Sequence, residues 1–176
     1  KKRLSDSIIQ YFPKHNTYIE PFFGAGGMFF NKPKAKYNFV NDLDSEVFNL
    51  FNVVKTQKEH LKTEFYEMPI HTDLLNYWKK NTEENKVTKA VRFLFLSNLT
   101  YMGKGTQLKM FTSDAKKNAL DLIDETNKKI FDVFFDNDDF SKFIKKISFR
   151  GRDNDKQNSF IYCDPPYLGT SNNYEF

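Results

Sequence analysis

Apolar residues at Leu4, Ile8, Ile9 and Phe12 recur at helical spacing and predict an amphipathic helix over residues 1–12. Pro13 and the polar Lys14-His15-Asn16 end it. Residues 17–20 predict a short strand, and Phe22-Phe23-Gly24-Ala25-Gly26-Gly27 a glycine-rich loop after it, with Met28-Phe29-Phe30 opening a helix. Residues 36–40 predict a second strand, closed by the acidic Asn41-Asp42-Leu43-Asp44. Val47, Leu50, Phe51 and Val54 then share one face of a helix over 45–54. This β-α-β-α order is the start of a parallel sheet.

From about residue 55 to 140 helical patterns dominate, notably 60–68, 86–96 and 115–131. Small and polar residues break them over 97–114. The alternation of strand and helix resumes only at Ile147-Ser148-Phe149 and Phe160-Ile161-Tyr162-Cys163. The pattern predicts an α/β domain, residues 1–55 and 141–176, interrupted by a helical insertion over 56–140.

Composition adds limits. Net charge is 27 − 23 = +4, which permits a polyanionic partner without demanding one. The single cysteine, Cys163, excludes an internal disulfide and fits a reducing compartment. No apolar run approaches membrane-spanning length and no signal peptide is visible, so a soluble, cytoplasmic protein is expected. Three scattered histidines and one cysteine offer no metal-ligand cluster.

Three segments carry chemistry. Glu20-Pro21-Phe22-Phe23-Gly24-Ala25-Gly26-Gly27 lets the backbone turn tightly and approach a ligand after a strand, although it is neither the dinucleotide fingerprint nor a Walker loop. Asp42 lies 42 − 20 = 22 positions after Glu20, at the end of the second strand, where a carboxylate can accept from both ribose hydroxyls of a nucleoside. Asp164-Pro165-Pro166-Tyr167 displays a carboxylate, stiff backbone carbonyls and a ring at a strand end. An aromatic amine is a poor nucleophile because its lone pair is delocalised. Acceptors at Asp164 and the Pro165 carbonyl would localise that pair, while Tyr167 stacks on the ring.

In this order, Glu20-Pro21-Phe22-Phe23-Gly24-Ala25-Gly26, Asn41-Asp42 and Asp164-Pro165-Pro166-Tyr167 resemble the Dam/DpnM-type N6-adenine DNA methyltransferases, from residue 1 to the chain end. The resemblance implies a Rossmann-like methyltransferase fold, S-adenosyl-L-methionine as methyl donor, and methylation of an adenine flipped out of double-stranded DNA. It implies cofactor contacts at Glu20, Pro21, Phe22, Gly24, Gly26, Asp42 and Asp164, and at Lys1, which aligns with the lysine ending the family's Trp-x-Gly-Gly-Lys segment. Arg152-Asp153 resembles the pair near the cofactor adenine, which assigns Asp153 there. Asn98-Leu99-Thr100-Tyr101-Met102-Gly103-Lys104-Gly105 resembles the stretch that leads into a DNA-contacting hairpin, so Asn98, Lys104, Gln107 and Lys109 are the expected DNA contacts.

The family's Phe-Asn-x-Pro-Phe-Gly stretch is replaced by Phe111-Thr112-Ser113-Asp114, which leaves the target sequence open. A cognate restriction endonuclease is a further expected partner. The chain opens without methionine and stops 176 − 167 = 9 residues after Tyr167, so a fragment with weak or no methylation alone is expected. Two other readings stay open here: a catalytically dead DNA-binding remnant, and a methyltransferase for another planar amine or amide, such as an RNA base or a glutamine side chain.

Overall fold

A computed structural model of the chain describes residues 2–166. Among these residues, four strands form one all-parallel sheet: β1 (Thr17–Glu20), β2 (Tyr37–Asn41), β3 (Phe134–Asp136) and β4 (Ser159–Ile161), in the order β3-β2-β1-β4. This is a Rossmann-like arrangement. Consecutive strands run outward from β1 on one side, β4 takes the other side, and the topological switch lies between β1 and β4.

Contacts divide the chain into two compact units, one of residues 1–48 with 132–165 and one built on 49–131. Both divisions fall earlier than the pattern predicts. The first lies inside α2 (Ser45–Thr56) and the second precedes β3, which belongs with the sheet.

The sheet unit places Tyr18, Glu20, Asn38, Val40, Phe135, Phe160 and Tyr162 on one face, because adjacent positions in register point the same way. Phe12, which follows α1 (Lys2–Ile9), packs its ring against Phe160 and Tyr162 at 4.6 and 5.5 Å between centroids. Phe23 of the glycine-rich loop meets Phe135 edge-on at 5.0 Å. The phenylalanine-rich composition therefore fills this face. The second unit packs α3 (Lys58–Glu67), α4 (Thr72–Lys80), α5 (Lys86–Leu94) and α6 (Thr112–Ile130) around Leu61, Phe65, Trp78, Val91, Phe95 and Ile123, all buried. Arg92 is buried there too, its Nε donating to the Trp78 and Asn81 carbonyls at 3.0 and 2.8 Å. A π-helical turn, Phe95–Leu99, ends α5.

Two predicted elements do not form. Met28-Phe29-Phe30 makes turns rather than a helix, since Pro33 disfavours helical backbone at Lys32 just beyond it. Ile147-Ser148-Phe149 is not a strand. It follows α7 (Phe140–Lys146) and runs into a turn where Arg150 and Gly151 both have positive φ. The residue pair Phe134-Phe135 takes the sheet position instead. No helix among the described residues is long and apolar enough to cross a membrane.

Candidate active site

Parallel strands leave the sheet at one edge, and there the chain gathers the ends of β1, β2, β3 and β4. At the end of β1, Glu20 is buried and accepts from the Tyr18 hydroxyl at 2.9 Å. Burial, together with the charge of Glu20, pushes the Tyr18 phenol well above its ordinary pKa. Lys32 is buried on the same face, its Nζ 4.0 Å above the Tyr18 ring and donating to the Pro33 carbonyl at 3.0 Å. Burial lowers the Lys32 pKa to about 8, against the opposing pull of Glu20.

The glycine-rich loop is tied to the end of β2. The Gly24 N–H donates to Asp42 Oδ2 at 2.5 Å, and the Asp44 N–H donates to Oδ1 at 2.9 Å. Burial raises the Asp42 carboxyl pKa, while these two bonds work to lower it. A carboxylate offers about four lone-pair sites, so each oxygen retains one for a ribose hydroxyl. Space beside Gly24 is open: a Cβ built there meets nothing within 4 Å. Gly26 has the opposite constraint. Its φ is +68°, and a Cβ would strike the Phe30 and Phe23 rings at 2.5–2.7 Å. An open wall at Gly24 over a half-buried carboxylate suits the ribose of a nucleoside cofactor.

The end of β3 completes this edge. Asn137 donates its side-chain amide to the Asp42 and Leu43 carbonyls at 2.8 and 3.0 Å. Asp139 caps α7 by accepting from the Ser141 N–H at 2.9 Å, and Phe140 sets its ring 5.4 Å from Phe22. Sequence reasoning missed this segment, although aromatic residues followed by Asn and Asp carried a strand-end signal. The resemblance assigns the adenine side of the site to Asp153, and the structure does not bring that residue to this edge. Asp153 is exposed and opens α8 (Asp153–Gln157), which precedes β4. The Asp155 carbonyl accepts from Thr17 Oγ1, at the start of β1. Asp153 therefore lies at the amino-terminal edge of the sheet, opposite Asp42.

The strand β4 carries the remaining candidates. The Tyr162 N–H donates to the Ile19 carbonyl at 2.9 Å, which keeps the chain beside β1 to the strand's end. Asp164 then emerges half-buried at the edge where Pro21 and Phe22 emerge, and Pro165 and Pro166 are exposed. Lys1 and Tyr167 lie outside the described residues.

In the helical unit, Thr100 and Leu108 form an isolated antiparallel bridge that closes a loop. Lys104 and Gln107 are exposed on it. Asn98 instead sits in the π-helical turn, its amide donating to the Leu94 carbonyl at 3.1 Å. Lys109 donates to the Asn98 carbonyl at 2.6 Å, so its ammonium is committed to the loop's base. No group of three His, Cys, Asp or Glu side chains among the described residues is placed to hold a metal ion.

The family model for D12 class N6 adenine-specific DNA methyltransferases matches residues 1–176. The chain belongs to this family. A DNA adenine methylase of Haemophilus influenzae is 30% identical over 187 residues, covering 95% of this chain and 60% of that protein. A DNA adenine methylase of Escherichia coli K12 is 26% identical over 190 residues, covering 97% and 63%. Modification methylase StsI of Streptococcus sanguinis is 26% identical over 194 residues, covering 99% and 28%. The chain thus spans about 60% of the length of the DNA adenine methylases it matches.

Proposed function

We propose that the protein carrying this chain transfers a methyl group from S-adenosyl-L-methionine to N6 of adenine in double-stranded DNA. Family membership supports a methyl donor and an adenine-specific reaction on DNA. The single observation that carries the cofactor reading is the Gly24–Asp42 bond beside open space. Asp42 would hold the ribose hydroxyls, with Glu20, Pro21, Phe22 and Gly26 shaping the cradle. Asp139 and Phe140 would border the adenine side, replacing Asp153.

When bound, the cofactor supplies a methyl group on a cationic sulfur; transfer to adenine nitrogen forms N–C, breaks C–S, and releases a neutral thioether and one proton. Asp164 and the Pro165 carbonyl would accept from the amine hydrogens and localise the attacking lone pair. The exposed loop with Lys104 and Gln107 would meet the DNA, Lys104 as a phosphate contact. Asn98 and Lys109 would shape that loop from its base. The likeness to a modification methylase supports a cognate restriction endonuclease as partner.

Radiolabelled methyl transfer to DNA of random sequence, with the modified base mapped, tests the proposal. Label on adenine N6 is expected. Label on RNA or on protein glutamine alone, or binding of DNA without any affinity for S-adenosylhomocysteine, would replace it with one of the other readings.

A further inference from the structure

The end of β2 contains a second side chain with no role in the reading above. Asn41 is fully buried, and its side chain uses both amide hydrogens and its oxygen across three strand ends. Its Nδ2 donates to the Pro21 carbonyl at 3.0 Å, at the end of β1. The other Nδ2 hydrogen goes to the Asp138 carbonyl at 2.9 Å, just past β3. Its Oδ1 accepts from the Asp138 N–H at 3.0 Å, closing a paired contact with that residue. Its main-chain carbonyl accepts from the Phe23 N–H at 2.9 Å.

One residue thus bonds to Pro21 and Phe23, on either side of Phe22, and to Asp138, two positions before Phe140. Phe22 and Phe140 are the rings that meet at 5.4 Å. The two segments belong to non-adjacent strands, since β2 lies between β1 and β3. No backbone ladder joins them directly, and the Asn41 side chain bridges the two segments where the ladders end. A primary amide suits this: it offers two donors and one acceptor in one plane, which no other side chain of this size provides. Leaving several buried main-chain groups unpaired would be costly, so the arrangement has one well-defined geometry.

We propose that Asn41 is a positioning residue for the cofactor site. It clamps the Pro21–Phe23 turn to the Asp138–Phe140 turn and so sets the distance between the two walls that border the nucleoside. This role rests on the S-adenosylmethionine reading. It acts on the nucleoside end of the cofactor and leaves the Asp164 end untouched.

The test is calorimetry with S-adenosylhomocysteine and with adenosine, on the parent and on Asn41→Ala and Asn41→Asp, at temperatures well below each melting midpoint. Asn41→Ala should weaken both ligands by about the same factor, at least tenfold. In methyl transfer, KM for S-adenosylmethionine should rise with kcat at saturation unchanged. Asn41→Asp provides the conservative rescue. Its neutral carboxyl keeps one donor and one acceptor, so affinity relative to the parent should recover at pH 5.5 and fall by pH 8 as the carboxyl ionises. Hydrogen exchange at the Asp138 amide should quicken in Asn41→Ala.

Parent-like affinity in both variants would overturn the clamp and leave the proposed function standing. So would a lower melting midpoint with unchanged KM. A parent that binds neither ligand would instead overturn the cofactor reading, and the clamp with it.

Discussion

The backbone N–H of Gly24 reaches the carboxylate of Asp42 at 2.5 Å, so the loop after β1 is held by the acid at the end of β2. The same carboxylate accepts from the Asp44 N–H, which turns the chain toward α2. One side chain therefore shapes the loop and faces the space beside it.

Asp42→Asn should separate these roles. Two charge-assisted hydrogen bonds to ribose hydroxyls are worth about 1.5–3 kcal/mol each, so S-adenosylhomocysteine affinity should fall by about 100-fold or more. Asn offers one acceptor oxygen to the Gly24 and Asp44 N–H groups, so stability at low pH should fall by the worth of one hydrogen bond, about 1 kcal/mol. The folded-state pKa of Asp42 is raised, so the native protein binds more protons than the unfolded chain between the ordinary and the raised pKa. Stability from this group therefore decreases as pH rises through that window. Asn removes the decrease. Urea unfolding at pH 4 and pH 7 reads it, and a variant with unchanged cofactor affinity would remove Asp42 from the site.

Lys32 gives a second pH signature with a different window. Its pKa is about 8 in the fold against 10.5 unperturbed, so the unfolded chain binds more protons between these values. Stability contributed by Lys32 is greatest above pH 10.5 and is lost as pH falls through 8, a difference of about 3 kcal/mol. Relative to Lys32→Met, the parent should gain about that much between pH 7 and 10.5. Tyr18 and Glu20 are common to both proteins, so their direct titrations largely cancel. Parallel stability curves would show that Lys32 does not titrate in this range.

These charges were hard to foresee. β1 was legible because four consecutive buried residues flanked by a polar turn and glycines leave little choice. The candidate acids of the β2 and β4 ends followed from strand spacing. β3 was not legible, because Phe134 and Phe135 follow a long helix and only three residues pair. Ile147-Ser148-Phe149 imitated the missing strand by alternation, and Asp153 after it lies at the edge opposite Asp42. Lys32 carried no sequence signal, since a single lysine before Pro33 has no distinguishing pattern. Only the aromatic packing around Tyr18 shows it buried.

Asp164→Ala should leave S-adenosylhomocysteine affinity within a few-fold of the parent, because the proposed ribose contacts lie at Asp42. Methyl transfer should fall by at least 100-fold, since loss of one preorganised acceptor at a reacting amine costs about 3–4 kcal/mol. Equilibrium binding beside single-turnover transfer separates the two, and retained turnover would remove Asp164 from the chemistry.

Gly103→Ala tests the loop in the helical unit. Gly103 has φ +68°, and a Cβ there would sit 2.9 Å from the Ser97 carbonyl oxygen, a backbone atom that cannot swing aside. Met102 before it already holds φ 53°, so the tip has little freedom left. Below it, buried Thr100 donates to the Leu96 carbonyl at 2.5 Å and accepts from the Gly105 N–H at 2.8 Å, tying the loop to the π-helical turn. A methyl group at 103 must therefore push the tip away from Ser97 and displace Lys104 and Gln107 together. DNA affinity should fall by at least tenfold, while S-adenosylhomocysteine affinity stays at the parent value, because the cofactor candidates belong to the sheet unit. The salt dependence should distinguish the cause. A displaced loop that loses the Lys104 phosphate contact lowers the slope of log affinity against log salt by about 1. Unchanged DNA affinity with an unchanged slope would show that this loop does not face the duplex.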